Sequence, residues 1–466
     1  MFGITSSNRN KHSGASAKKR DHFSPNQMIV FSFLSIILIG TVLFLLPVSA
    51  EHAPLSPIDA LFTAVSATCV TGLSVCDVSK ELSPFGQAVL LVLIQLGGLG
   101  LMTFSTFFIY LFGRKTSMRN REIIGNTLSL SSSKNIKVLI KRIMLLVVLF
   151  ELTGTILLTL RFMQHRPFFP ALYHGLFHAI SAFCNAGFSL YPTSFEPFRN
   201  DVTVNLILIG LIVAGGLGFV VLIDLKHRFS WKLNFWRHLS FHSKMVLGFS
   251  AALVVAGTGL FFLMEYAKSG TGSFGNLLAS FFQAVTARTA GFNTVDIGSL
   301  SNATLMLLMV LMFIGAAPGS CGGGIKVTTF GVLMTVLVSR LRGHEDAQIF
   351  HRRIARENIN KVTIIALMAI LIVLIGFVGL LVSEIQLTGC SHGHGPFEQL
   401  LFEAISAYGT VGLSLGTTPQ LSLIGKGIVI LLMFIGRLGP LTIAVALSRS
   451  TRQGNFQYAT GDIMVG

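Results

Sequence analysis

Four short segments of this chain each close on a single glycine: Thr68-Cys69-Val70-Thr71-Gly72, Cys184-Asn185-Ala186-Gly187, Thr289-Ala290-Gly291 and Thr410-Val411-Gly412. None of them holds a carboxylate. A cation meeting such a segment finds main-chain carbonyls, helped by Thr and Asn side-chain oxygens. Rings of carbonyl dipoles suit a large monovalent cation, whose hydration shell they replace. Glycine supplies the left-handed backbone angles that turn successive carbonyls toward one axis. The four glycines are spaced by 115, 104 and 121 residues, so one unit is written four times. A lone glycine after Ala and Ser is common where membrane helices touch, but four in register point to a fourfold cation filter. Phe62, Phe177, Phe281 and Phe402 each stand ten residues before the glycine. Ala64, Ala179 and Ala404 stand eight before it and Ala284 seven, which makes the third loop one residue shorter.

The composition dictates what positions these loops. With 52% hydrophobic and 12% charged residues and a mean hydropathy of +0.71, a soluble globular domain is excluded. Eight stretches, at 28–48, 86–112, 143–163, 202–224, 245–264, 302–340, 362–384 and 422–447, are long enough to cross roughly 30 Å of hydrocarbon at about 1.5 Å per residue. Between the members of each pair lies a shorter apolar stretch, near 55–67, 171–183, 276–287 and 397–407. As a helix it reaches only about 20 Å, so it must dip in and return. Its negative C-terminal dipole end then favours a cation at the axis. The expected fold is an all-α polytopic membrane protein with eight transmembrane spans, in four parallel span/re-entrant pore loop/span repeats around a central pore. The repeats cover 28–112, 143–224, 245–340 and 362–447, with tails at 1–27 and 448–466.

Charge sets the orientation. Segments 1–27, 113–142, 225–244, 340–361 and 448–466 hold 26 of the 35 Lys and Arg residues but 6 of the 19 Asp and Glu residues. By the positive-inside rule these face the cytoplasm, and both termini lie inside. The net charge of +16 therefore reads as topology plus a surface for anionic membrane lipid or an acidic partner; no nucleic-acid motif accompanies it. The 27 residues before the first span carry no signal-peptide pattern, so that span is expected to stay in the membrane. Cys69, Cys76, Cys184, Cys321 and Cys390 show no metal spacing and are expected to be unpaired thiols.

The sixth stretch is about twice the length one crossing needs. It is interrupted by Gly315-Ala316-Ala317-Pro318-Gly319-Ser320-Cys321-Gly322-Gly323-Gly324-Ile325-Lys326, where Pro318 removes a helical donor and the glycines remove helix preference. Gly319, Gly324 and Lys326 approach a phosphate-loop pattern, but Ile325 separates glycine from lysine and no strand precedes it. At the matching place the other units have Gly97-Gly98-Leu99-Gly100, Gly215-Gly216-Leu217-Gly218 and Gly436-Arg437-Leu438-Gly439-Pro440. Arg437 puts a charge inside an apolar span, at a cost of about 3 kcal/mol unless hydrated or paired. The expectation is a gate: residues 315–326 as a movable plug, and Arg437 as an electrostatic barrier just inside the filter.

The four-loop arrangement, Ala317–Lys326, Arg437 in Gly-Arg-Leu-Gly-Pro and the terminal Gly-Asp-Ile-Met-Val-Gly resemble the Trk/Ktr/HKT superfamily of potassium transport proteins, most closely its bacterial Ktr-type membrane subunit. The resemblance spans about residues 25–466. It implies a potassium-selective pore in each subunit of a homodimer in the bacterial inner membrane, with a cytosolic nucleotide-binding (RCK/KTN-type) regulatory ring. Potassium is then the transported ion, sodium dependence stays open, and ATP or ADP is bound by the partner, not by this chain. The matching glycines, Gly72, Gly187, Gly291 and Gly412, shape the filter, and Arg437 faces the gating loop. Ala316 and Cys321 depart from the residues usual there, and Arg288 is expected to pack behind the filter. A Na+/K+ or cation-coupled secondary transporter of the same architecture is the alternative.

Other polar residues offer less. Glu151, Asp224, Glu384 and Glu403 are read as capping or solvated groups at span or pore-helix ends. His392 and His394 in an outer loop, and His174 with His178 four residues apart, lack further metal ligands. No acid, base or metal ligands converge inside the spans, so no catalytic residues are expected.

Overall fold

The computed structural model describes residues 25–111, 136–228, 235–267, 274–385 and 395–447. Four times the chain runs long helix, short helix, extended segment, second long helix. The first copy is α1 (Pro25–Leu45), α2 (Pro57–Thr68) and α3 (Pro84–Leu111); the second is α4 (Ile136–Phe162), α5 (Phe168–Phe183), α6 (Val202–Gly216) and α7 (Phe219–Arg228). The third is α8 (Phe241–Phe262), α9 (Phe274–Thr286), α10 (Asn302–Phe313) and α11 (Val327–Leu341); the fourth is α12 (Arg356–Ser383), α13 (Pro396–Gly409), α14 (Leu423–Leu438) and α15 (Pro440–Leu447). A small antiparallel hairpin pairs Gln348–Ile349 with Arg352–Arg353.

Side-chain caps fix where many of these helices begin. Asp201 accepts from the Thr203 and Val204 amides, both at 3.1 Å, at the head of α6. Ser240, Ser301 and Ser422 do the same for α8, α10 and α14, each satisfying a donor that a helix start leaves free. Among the described residues, Lys141–Phe162, Phe241–Glu265 and Arg356–Ser383 are single helices long and apolar enough to cross a membrane. The bent pair Val202–Gly216 and Phe219–Lys226 makes a fourth. Their outer faces are apolar: Leu145, Leu149 and Leu152 on α4, and Leu367, Leu371 and Ile375 on α12, are all more than half exposed. Exposed apolar faces of this extent mark contact with a membrane or with another protein.

Three of the expected spans are broken rather than continuous. The break in the sixth was expected, and the helix stops at Phe313 and resumes at Val327. The fourth bends by 103° after Gly216, and the eighth breaks at Gly439, whose φ is +84° ahead of Pro440. The cause of the bend lies outside the local sequence. In a continued helix the Phe219 amide would bond the Gly215 carbonyl. Instead it donates to Gly319 at 3.0 Å, while Gly215 accepts from the Cys321 amide at 3.1 Å and Gly216 from Ala317 at 3.0 Å. The interrupted segment of the third copy has taken over the end of α6.

Candidate cation-conducting site

Three of the four short helices end in the same backbone device. The Thr71, Ala186 and Val411 amides donate five residues back to the carbonyls of Ser66, Ser181 and Ser406, at 2.8, 2.7 and 2.9 Å. In the third copy Ala290 donates four residues back to Thr286 at 2.8 Å, so that loop is one residue shorter. The same register makes Phe282, fully buried, the third counterpart of Phe62, Phe177 and Phe402, in place of the expected Phe281. After these turns Val70, Asn185, Thr289 and Thr410 take positive φ, and so do Gly72, Gly187, Gly291 and Gly412 two residues later.

The four glycines form a closed ring. A Cβ built on Gly72 would come within 3.1 Å of the Gly187 Cα, one on Gly187 within 3.0 Å of Gly291, one on Gly291 within 3.3 Å of Gly412, and one on Gly412 within 3.0 Å of Gly72. At each joint the nearest atom is the carbonyl oxygen of the residue before the next glycine: Ala186, Ala290, Val411 and Thr71. Hence the ring is lined by backbone, and a side chain at any of the four positions would collide with it.

Other residues of the expected filter lie behind this ring. The Thr68 carbonyl ends α2 against Gly97, and the Cys184 thiol packs on Gly98 and donates to Gln95 Oε1 at 3.4 Å. Asn185 Nδ2 donates to Thr289 Oγ1 at 3.4 Å, and with the amide oxygen and nitrogen exchanged the side chain would instead donate to the Ile212 and Ala182 carbonyls at 3.2 and 3.1 Å. The hydroxyls of Thr71 and Thr410 have no hydrogen-bond partner. Close approach depends on glycine in the adjoining helices too: Gly97, Gly215 and Gly436 press on the carbonyls of Thr68, Phe183 and Tyr408, each the residue two after the ring-supporting serine.

The segment 314–326 folds back on itself. Gly315 donates to Ile325 at 2.8 Å and Val327 to Ala316 at 3.1 Å, Ser320 Oγ donates to Ala317 at 2.6 Å, and Lys326 Nζ donates to Gly322 at 2.7 Å. Together with the bonds to α6 these satisfy a non-helical backbone in the interior, where an unmet polar group is costly. Gly322 and Gly323 pass directly against Thr289 and Thr410: a Cβ on Gly322 would stand 3.1 Å from the Thr289 Cβ, and one on Gly323 2.9 Å from the Thr410 Cγ2. Arg437, 6% exposed, donates through one terminal nitrogen to the Cys321 carbonyl and through the other to the Gly97 carbonyl. It thereby joins the fourth copy, the interrupted segment and the first copy.

Arg288 reaches Ser250 Oγ at 3.1 Å and the Ser250 carbonyl at 3.4 Å. Two carboxylates overturn their expected positions at helix ends. Glu151 is buried within α4, where Gln95 Nε2 donates to it at 2.9 and 3.1 Å, and Glu403 is fully buried within α13. Asp224 and Glu384 do serve as caps, accepting from the Ser240 and Ser422 amides at 3.0 Å. Cys69, Cys76, Cys184 and Cys321 are free thiols. Cys390, His392, His394 and the terminal 461–466 motif lie outside the described residues. No group of three metal-ligating side chains occurs among those described.

A buried carbonyl ring, an irregular segment beneath it and an intramembrane-type arginine define the class: residues 4–458 match the TrkH family model, described as a cation transport protein, and the chain belongs to that family. Among its relatives are the "Ktr system potassium uptake protein B" of Bacillus subtilis (strain 168), 40% identical over 95% of this chain and 97% of the relative, and that of Vibrio alginolyticus, 39% identical over 91% of each. The "Potassium/sodium uptake protein NtpJ" of Enterococcus hirae is 34% identical over 96% and 98%. The fold is similar to the crystal structure of the potassium transporter TrkH from Vibrio parahaemolyticus, with a TM-score of 0.71 at 18% identity, over 92% of this chain and 86% of that one.

Proposed function

We propose that this chain is the potassium-selective, ion-translocating membrane subunit of a bacterial potassium uptake system. In this reading eight spans and four re-entrant loops surround one pore, with repeats at 28–112, 143–224, 245–340 and 362–447 and both termini in the cytoplasm. The observation that carries it is the closed ring of four left-handed glycines, each abutting the carbonyl ahead of the next. Carbonyl dipoles bind potassium in place of water and release it readily, as conduction requires. The similarity to two potassium uptake proteins B over nearly their whole length supports the choice of ion.

The gate is then residues 315–326 with Arg437. The segment sits against Thr289 and Thr410, and the charge of Arg437 opposes a cation beneath the ring. A homodimer and a cytosolic nucleotide-binding ring acting on the basic loops complete the proposal, with ATP or ADP held by that partner. The test is growth of potassium-uptake-deficient bacteria at low potassium, paired with uptake into proteoliposomes. Failure to rescue growth at normal expression, or equal potassium and sodium permeability, refutes it. The second outcome favours a sodium-permeable reading, to which the 34% identity to a potassium/sodium uptake protein lends weight.

A further inference from the structure

One tier behind the glycines, at the same register of α2, α5, α9 and α13, stand Thr63, His178, Gln283 and Glu403. They lie nine residues ahead of Gly72, Gly187 and Gly412 and eight ahead of Gly291, as the shorter third loop requires. All four are buried, at 1% exposure or less. Fourfold geometry would allow one residue type here, yet the chain uses four.

Two of these residues clamp the chain as it leaves the ring. His178 Nε2 accepts from the Leu190 amide at 3.2 Å, which puts the ring proton on Nδ1, and Nδ1 meets the His174 carbonyl at 2.8 Å. This neutral imidazole also lies 3.2 Å from Ser189 Oγ, two residues past Gly187. Glu403 holds the matching residue of the fourth copy: Oε2 accepts from Ser414 Oγ at 2.9 Å and Thr417 Oγ1 at 3.3 Å, and Oε1 accepts from Thr418 Oγ1. Three hydroxyls thus converge on its two oxygens, and Thr418 Oγ1 also lies 3.1 Å from Ser414 Oγ, so the carboxyl group and the segment 414–418 hold each other in place. Among the described residues no basic side chain pairs with it. By contrast, neither atom of the Gln283 amide has a hydrogen-bond partner.

We infer that Glu403 is a positioning and selectivity-determining residue of the cation ring: it fixes the outgoing segment 414–418 and sets one full negative charge behind a single quadrant. This rests on the reading of the ring as a cation filter. A charge in a poorly polarisable interior acts over several ångströms, so it raises cation occupancy at the ring from one side. The clamp at the same time keeps the fourth loop from adjusting to a smaller ion.

The measurement is concentration-dependent uptake into proteoliposomes, with potassium and sodium in competition, for the parent, Glu403→Gln, Glu403→Asp and the pair Ser414→Ala with Thr418→Ala. Glu403→Gln should raise the potassium concentration for half-maximal uptake about tenfold, with a smaller change in maximal rate. Glu403→Asp should recover affinity more than selectivity, because it keeps the charge and shortens the clamp. The Ser414/Thr418 pair keeps the charge and removes two donors; it should lose selectivity more than affinity, and it serves also if Glu403→Gln does not fold. Parent-like affinity and ion preference in Glu403→Gln, or in the Ser414/Thr418 pair where Glu403→Gln cannot be purified, overturn the inference while the filter reading stands. A parent with no preference among cations overturns that reading itself, and this inference with it.

Discussion

The guanidinium of Arg437 is hydrogen-bonded to the main-chain carbonyl of Cys321, 116 positions earlier in the chain. Its other terminal nitrogen holds Gly97, 340 positions earlier. Arg437 occupies the place that Gly98 and Gly216 take in the first two copies. A charge placed where symmetry calls for glycine has thus become the anchor of the irregular segment, and its burial is offset by carbonyl acceptors rather than by a carboxylate.

Arg437→Ala should therefore raise cation uptake severalfold, since it removes the anchor and, in the proposed gate, the positive barrier. Deletion of residues 316–323 should act in the same direction. Rubidium uptake into proteoliposomes at matched protein content checks both; unchanged or reduced flux in a well-folded variant argues against the gate.

Gly72→Ser tests the ring. At φ +92° a side chain carries a strain of about 1–3 kcal/mol, and its Cβ would collide with the Ala186 carbonyl. The ring must open on one side. Competition uptake should show the potassium-over-sodium preference falling, with total flux less affected; a preserved preference contradicts the assignment of the ring as the selective element.

The bend between α6 and α7 passes through Gly218, whose φ is +84° and whose added Cβ would lie 2.6 Å from the Pro318 carbonyl. Gly218→Ala should loosen the segment 315–326 from its seat. The buried Cys321 thiol is a built-in reporter: with the other cysteines replaced, its labelling by a water-soluble thiol reagent should speed up severalfold. Labelling at the parent's rate would mean the bend does not hold the segment.

The first and fourth copies are tied by Lys426 Nζ and Asp59 Oδ1 at 2.7 Å, with side chains 14% and 26% exposed. Breaking such a partly buried pair leaves one charge uncompensated, so Asp59→Asn should cost about 1–3 kcal/mol. Thermal unfolding in detergent should show the lower midpoint, and exchanging the two residues should recover part of it. An unmoved midpoint would make the pair incidental.

Much of the site is legible in the residues. Glycine at positions 72, 187, 291 and 412 announces the left-handed ring, and the proline and glycines of 315–326 announce the break, because these residue types act through local backbone preference. The one-residue shortening of the third loop is visible in the spacing of Ala284, but its consequence, the exchange of Phe281 for Phe282 as the buried ring, needs the helix register. The bend at Gly218 is hidden. Gly97-Gly98-Leu99-Gly100 has the same pattern and stays helical within α3, whereas the α6 end gives up a helical bond because Gly319 competes for the Phe219 amide. Glu151 and Glu403 mislead for the same reason: what satisfies each carboxylate comes from distant sequence, Gln95 in one case and residues 414–418 in the other.

The seam between Asp59 and Lys426 bears on how the protein is made. Gly412 abuts Gly72, so the joint that closes the ring unites the first copy with the fourth. Without the fourth copy two joints of the ring stay open: the Thr71 carbonyl lacks Gly412, and Gly291 lacks the Val411 carbonyl. The four loops therefore make one ring only as a complete set, and a chain that stops before residue 412 leaves it open.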